Sequence, residues 1–322
     1  MSDTPALIEF AGLCRDYGSL RAVDGVDLTL ARGEVLGLLG PNGAGKSSTL
    51  RMLAGALAPS AGRVAIDGVD LIEEPRRAKR HLGYLPEQPP IYPDMTVAEY
   101  LGFAAALHAV PRRQRATAVE RAMARCGLQG MGNRLLGQLS KGYQQRAGIA
   151  QAIVHDPVVV VLDEPTTGLD PIQIRAIRAL IGELGRDRGV ILSTHILAEV
   201  QAICSRVAIM HRGRIVFCEP LAALGGERPD VLLVTLARPP ATEELATIEG
   251  VTEARALDAH RFRLALDAAG ASTEHIAERI VAAGWGLIGL AAEERTLEQV
   301  FVEMTAQDAV AEPPPAAAEA AG

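Results

Sequence analysis

Residues 40–47 read Gly-Pro-Asn-Gly-Ala-Gly-Lys-Ser, a complete G-x-x-x-x-G-K-[ST] phosphate loop. An apolar strand pattern, Glu34-Val35-Leu36-Gly37-Leu38-Leu39, precedes it, and helical spacing through Leu50, Leu53 and Ala54 follows. That strand–loop–helix setting is what gives the motif its meaning. Gly40, Gly43 and Gly45 free the backbone to turn its N–H groups inward at phosphate oxygens. The helix start adds partial positive charge at the same place. Lys46 has the reach to meet the β- and γ-phosphates, and the Ser47 hydroxyl is suited to ligate Mg²⁺. Pro41, Asn42 and Ala44 complete the loop and Ser48 follows it, so residues 40–48 form the expected nucleotide cradle. A plain glycine-rich turn would not need the Lys-Ser pair in register. The motif predicts binding of a nucleoside triphosphate.

The chain has 322 residues, enough for one large or two modest domains. Apolar residues make up 48% and aromatics only 3%, so the core must be built from Val, Leu, Ile and Ala. A net charge of −7 argues against broad nucleic-acid binding, which calls for a basic face. Cys14, Cys126, Cys204 and Cys218 have no metal-ligand spacing and read as free thiols in a reducing compartment. The N-terminus lacks a basic region followed by an apolar stretch, so no signal peptide is expected. No apolar run approaches the roughly 20 residues of a membrane span.

Turn signals at Asp24-Gly25, Arg32-Gly33, Ala61-Gly62 and Asp67-Gly68 divide residues 6–39 and 62–72 into short strands. Residues 75–133 are helical in pattern, with a proline-rich interruption at 86–93, and residues 140–155 suggest another helix. Residues 158–163 form a continuous apolar run of the kind buried in a parallel sheet. Helix, strand and helix follow at 171–185, 190–194 and 196–204, and residues 207–217 read as a hairpin turning at His211-Arg212-Gly213. This alternation predicts an α/β fold with a mostly parallel sheet, an antiparallel β part and a helical insertion at about 88–140. A small C-terminal α/β domain is expected over 223–305, beginning near Gly225-Gly226, with strands at 230–237, 261–266 and 286–290. The Ala-, Glu- and Pro-rich residues 306–322 bury too little to order themselves and are expected to be disordered.

Val159-Val160-Val161-Leu162-Asp163-Glu164 is an apolar strand ending in two acids. A carboxylate at the end of a buried strand is placed to hold Mg²⁺ opposite Ser47, the role expected of Asp163. Glu164 projects differently, toward the space from which water attacks the γ-phosphate, and is the expected base.

Upstream lies Leu139-Ser140-Lys141-Gly142-Tyr143-Gln144-Gln145-Arg146, which resembles the signature of the ABC-type ATPases, commonly Leu-Ser-Gly-Gly-Gln. Further matches fall in order: Gln88 resembles the Q-loop glutamine, Gly168-Leu169-Asp170-Pro171 the D-loop, and His195 the switch histidine. Tyr17 sits where that family places an aromatic that stacks on adenine. The resemblance covers roughly residues 6–222 and implies a P-loop NTPase, RecA-like domain over 1–222. It also implies ATP and Mg²⁺ as cofactors, with Gln88 joining Ser47 and Asp163 at the metal, and Glu164, Gln88 and His195 serving hydrolysis.

Two such domains would pack head to tail, Ser140 and Gly142 of one reaching the γ-phosphate held by the other. The partner is a second copy or a homologous subunit. Lys141 and Tyr143 replace the usual glycine and glutamine, a variant resembling exporter ATPases that serve ABC-2-type permeases, the gliding-motility-type branch in particular. Tyr92-Pro93-Asp94-Met95-Thr96-Val97 and Thr296-Leu297-Glu298-Gln299-Val300-Phe301 resemble that group too. The expected function is ATP hydrolysis energising a separate membrane permease, with the chain peripheral on the cytoplasmic face of the membrane. The alternative is a soluble ABC ATPase acting on nucleic acid or ribosomes. It is disfavoured by the acidic charge and by the single phosphate loop.

Overall fold

The computed structural model describes residues 6–224, 231–267, 273–293 and 296–306. The chain divides into two compact units, one ending at Pro220 and resuming at Phe301, the other spanning Leu221–Val300. The expected boundary at Gly225-Gly226 and the expected tail beyond residue 306 lie outside the described residues.

The first unit opens with β1 (Ile8–Tyr17), β2 (Leu20–Leu30), β3 (Val35–Leu39) and α1 (Lys46–Leu53), then β4 (Ala61–Ile66), β5 (Val69–Asp70) and α2 (Pro75–Ala78). After β6 (Leu82–Leu85) come the helices α3 (Val97–Leu107), α4 (Arg115–Arg125) and α5 (Lys141–Ile153). β7 (Val159–Asp163), α6 (Pro171–Leu184), β8 (Gly189–Thr194), α7 (Leu197–Ile203), β9 (Arg206–His211) and β10 (Arg214–Pro220) complete it.

A six-stranded sheet in the order β10-β9-β3-β8-β7-β6 forms its centre, parallel except for the β9–β10 hairpin. A four-stranded antiparallel sheet, β2-β1-β4-β5, accompanies it. The Val-Val-Val-Leu run of β7 is explained by its position. Val160 and Leu162 pack with α3, α4, α5 and α6 on one face, while Val159 and Val161 join α1 and the antiparallel sheet on the other. Both faces are dry, so alternation with polar residues is not available to this strand.

Local signals set the helix ends. Thr96 and Glu99 form a reciprocal capping box at the start of α3. Asp170 accepts from the Gln173 N–H at the start of α6, with Pro171 in its first turn.

The structure differs from the pattern reading at β6, which lies inside the stretch expected to be helical. Four residues are too few to show a period. What makes Leu82-Gly83-Tyr84-Leu85 a strand is its parallel pairing with β7. A Cβ on Gly83 would stand 2.0 Å from the Ala152 carbonyl oxygen, so only glycine lets β6 lie this close to the end of α5.

The second unit begins with α8 (Leu221–Leu224), followed by β11 (Val231–Leu236), α9 (Thr242–Leu245), β12 (Val251–Ala256), β13 (Arg261–Leu266), α10 (Thr273–Ala282) and β14 (Leu287–Ala292). α11 (Leu297–Ala306) runs across the division at Phe301. The sheet is antiparallel in the order β12-β13-β11-β14. Leu232, Val234 and Leu236 alternate inward from β11 to meet Phe262, Leu264 and, from α10, Ile276 and Ile280. The sequence pattern does not mark β12, an edge strand in which Val251 alone is buried. Among the described residues no helix is long and apolar enough to cross a membrane.

Leu162→Ala, at a fully buried position on β7, is expected to cost about 2–5 kcal/mol. Chemical denaturation of the purified chain measures this directly.

Candidate active site

Parallel register brings the site together. Leu39 of β3 stands beside Thr194 of β8, and Asp163 of β7 beside Ser193, so three strand ends open onto one edge. The loop after β3 turns with Gly43 at φ 81° and Gly45 at φ 104°, both left-handed conformations suited to glycine. The walls are equally restrictive: a Cβ on Gly40 would stand 2.3 Å from the Met210 carbonyl oxygen, and one on Gly45 2.5 Å from that of Ala22.

Lys46, at the start of α1, is only 6% exposed. Its Nζ donates to the carbonyls of Gly40 (2.7 Å) and Pro41 (3.1 Å) and stands 3.9 Å from Glu164 Oε1. Burial pulls the ammonium below its usual pKa, opposed by the charges of Glu164, Asp163 and Glu87. The Ser47 hydroxyl donates to Asp163 Oδ1 at 3.2 Å, which sets a hydroxyl and a buried carboxylate side by side as a hard-oxygen pair.

Glu164 takes a left-handed backbone, φ 47°, strain of about 1–2 kcal/mol for a residue with a Cβ. Its N–H is held by both the carbonyl (3.2 Å) and the hydroxyl (3.0 Å) of Ser193. The carboxylate meets His195 Nδ1 at 3.0 Å and accepts from Thr167 Oγ1 at 3.3 Å.

A cleft of about 490 Å³ joins these groups. Tyr17, residues 42–48, Glu164 and His195 line it, together with Glu87 and Thr167. Tyr17 leaves 42% of its surface exposed, its ring partly covered by the Arg15 guanidinium 4.7 Å from the centroid. A hydrogen bond with Ser48 is the main cause holding its phenol below the usual value. Gly40, Pro41 and Asp163 are outside the lining and meet it through their hydrogen bonds with Lys46 and Ser47. Gln88 is exposed and does not line it, whereas its neighbour Glu87 does.

Ser140 and Gly142 also lie outside the cleft lining, at the start of α5. Ser140 occupies the N-cap position, yet its hydroxyl makes no capping bond. Ser193 had no role assigned from sequence, although it joins Asp163 to the Glu164 backbone. Its position beside Asp163 on the neighbouring strand was the available signal, and it appears only once the register is known.

The ABC transporter family profile matches residues 23–167. The ABC transporter ATP-binding protein NatA of Bacillus subtilis is 39% identical over 207 residues, covering 64% of this chain and 84% of that protein. This chain belongs to the ABC transporter ATP-binding protein family. As a member it is an ATPase. The bacitracin transport ATP-binding protein BcrA of Bacillus licheniformis is 36% identical over 211 residues, 65% of this ATPase and 68% of that one. A dimeric structure of a bacterial ABC transporter cassette superposes with a TM-score of 0.61 at 25% identity, covering 66% of this ATPase and 98% of that cassette.

In this ABC ATPase, Ser193→Ala removes the bond to Asp163 and one of two supports of the Glu164 N–H. ATP turnover is expected to fall roughly tenfold or more, with nucleotide affinity little changed. Steady-state kinetics beside a nucleotide titration separates the two. Lys46→Ala, by contrast, is expected to abolish ATP binding in the same titration.

Proposed function

We propose that this chain is the ATP-hydrolysing subunit of an exporter, energising a separate ABC-2-type membrane permease through ATP-driven head-to-tail dimerisation. The observation that carries the dimer is Ser140. Its exposed hydroxyl makes no capping bond and lies outside the lining of the cleft that holds Lys46 and Glu164, so it is available to a nucleotide bound by another copy. The dimeric cassette among the similar structures supports a pairing of two copies.

In this reading residues 42–48 cradle the phosphates, and Lys46 supplies positive charge to the β- and γ-oxygens. Ser47 and Asp163 would hold Mg²⁺, which neutralises phosphate charge when bound; the 3.2 Å contact between them suits the pair to a hard cation. Glu164 accepts the proton of the attacking water, and His195 with Thr167 keeps its carboxylate aimed. Tyr17 offers its exposed ring face to adenine.

The helical insertion supports a membrane partner. Tyr92 and Leu107 are 52% and 70% exposed, and Tyr92 packs edge-on against the exposed Phe103 at 5.8 Å. An aromatic patch of this kind suits burial against another protein. Gln88 follows Glu87 of the cleft and precedes Tyr92 of this patch along the chain, and in this reading it links the two. Membrane attachment would then come through the permease, on its cytoplasmic side.

Glu164→Gln is expected to keep ATP binding, to lose nearly all hydrolysis and to accumulate as an ATP-bound dimer visible by light scattering. Hydrolysis at the parental rate would remove Glu164 from the role of base. Affinity purification of the tagged chain from detergent-solubilised membranes tests the transport reading. A co-purifying polytopic protein that stimulates ATPase activity is the expected result. Recovery with ribosomes or DNA alone would overturn it.

A further inference from the structure

A second cleft, of about 650 Å³, lies away from the nucleotide site, where the end of α3, the start of α4 and the turn after α5 meet Arg80 just ahead of β6. Its charged and titratable lining is Arg80, Arg113, Arg121, His108, His155 and Asp156. The aspartate is already committed, since Asp156 pairs with the buried Arg188 at 2.5 Å and with Arg121 at 3.4 Å. Among the described residues the Arg80 and Arg113 side chains make no ion pair or hydrogen bond.

The two histidines add no charge to this balance. Their rings stack with centroids 3.6 Å apart and planes within 3°, too close for both to be protonated. Burial lowers each, His155 to about 3, and the His155 Nε2–H donates to the Leu82 carbonyl. The cleft is therefore positive in a chain whose net charge is −7.

Its backbone is strained as well. Ala109 (φ 57°) and Asp156 (φ 61°) are both left-handed, and both line it. The comparable end of α4 uses Gly127 at φ 63°, where the conformation is free of a Cβ penalty. Glu164, in the nucleotide site, is another of the few non-glycine residues in that region. Strain of this kind gathers where a chain holds a ligand.

We propose that this cleft is an anion site for a phosphate group, carried by a small soluble molecule or by a lipid headgroup, with Arg80 and Arg113 as its charge partners. Uncommitted guanidinium forks match phosphate oxygens in pairs. Thr117 and Arg121, four residues apart on one face of α4, and Gln114 at its N-cap line the cleft, so polar groups flank the arginines along one wall. The site joins α4 of the helical insertion to the turn that leads into β6, the strand running on to Glu87 and Gln88. Occupancy would therefore brace the insertion against the sheet.

The test uses Lys46→Ala chain, in which the phosphate loop has lost its ammonium, titrated with inorganic pyrophosphate. Vesicles of phosphatidylcholine with and without phosphatidic acid are tested in parallel by co-sedimentation. Saturable pyrophosphate binding, or binding selective for phosphatidic acid, is expected, and which probe binds identifies the carrier. Adding Arg80→Ser and Arg113→Ser should weaken that binding at least tenfold with an unchanged melting curve. The same two substitutions in the chain with Lys46 intact should leave basal ATP hydrolysis in place, which keeps this test separate from that of the transport reading. No binding of either probe, or equal binding after both substitutions, would overturn the proposal.

Discussion

The pairing of β3, β8 and β7 in parallel register is the constraint on which the candidate site depends. Leu39 ends β3 opposite Thr194 and Asp163 ends β7 opposite Ser193, one residue earlier on β8, so a glycine loop, the His195 loop and an acidic pair emerge side by side from segments far apart in sequence. A shift of one residue would turn every side chain of a strand to the opposite face. Here both faces of β7 are packed with aliphatic side chains, which fixes the register by volume rather than by polarity.

The same arrangement places several charged groups in dry surroundings. Lys46, Asp163, Glu164 and Glu199 are all buried. Each is paired: Lys46 with backbone carbonyls and Glu164, Asp163 with two hydroxyls, and Glu199 with Thr166, Thr194 and Arg178. Glu199 ties the loop after β7 to the end of β8, the two segments that carry Glu164 and His195. Breaking a buried pair of this kind exposes the full desolvation penalty of the remaining charge, several kcal/mol. The network therefore holds the segments carrying Glu164 and His195 in one arrangement, and the left-handed backbone of Glu164 persists because Ser193 holds its N–H from two sides.

Much of this was readable from sequence, because phosphate chemistry demands rare residue types at close spacing. Gly40, Gly43, Gly45, Lys46 and Ser47 stand within eight residues, and Asp163 and Glu164 end an apolar, β-branched run of strand length. The groups that were not readable are those whose role comes from tertiary pairing. Ser193 is an ordinary strand residue until Asp163 stands opposite it. Glu87 is an exposed loop acid until the cleft is seen to include it while leaving out Gln88. β6 and β12 carry no period of their own and are strands because their neighbours supply the hydrogen bonds.

The departures from the common signature follow the same logic of local fit. A Cβ on Gly168 would stand 2.1 Å from Lys141 Nζ, and one on Gly142 2.6 Å from the Gln173 carboxamide. Lys141 thus lies against the loop that follows β7, while Gly142 makes room for a residue whose own N–H is capped by Asp170. Tyr143, where glutamine is commoner, is exposed, with the Arg146 guanidinium 5.9 Å from its ring centroid. Both replacements are accommodated by contacts within the chain. Beside them the Ser140 hydroxyl makes no capping bond, while Gly142 is covered by the Gln173 side chain, so of these two residues at the start of α5 Ser140 is the one that stays exposed.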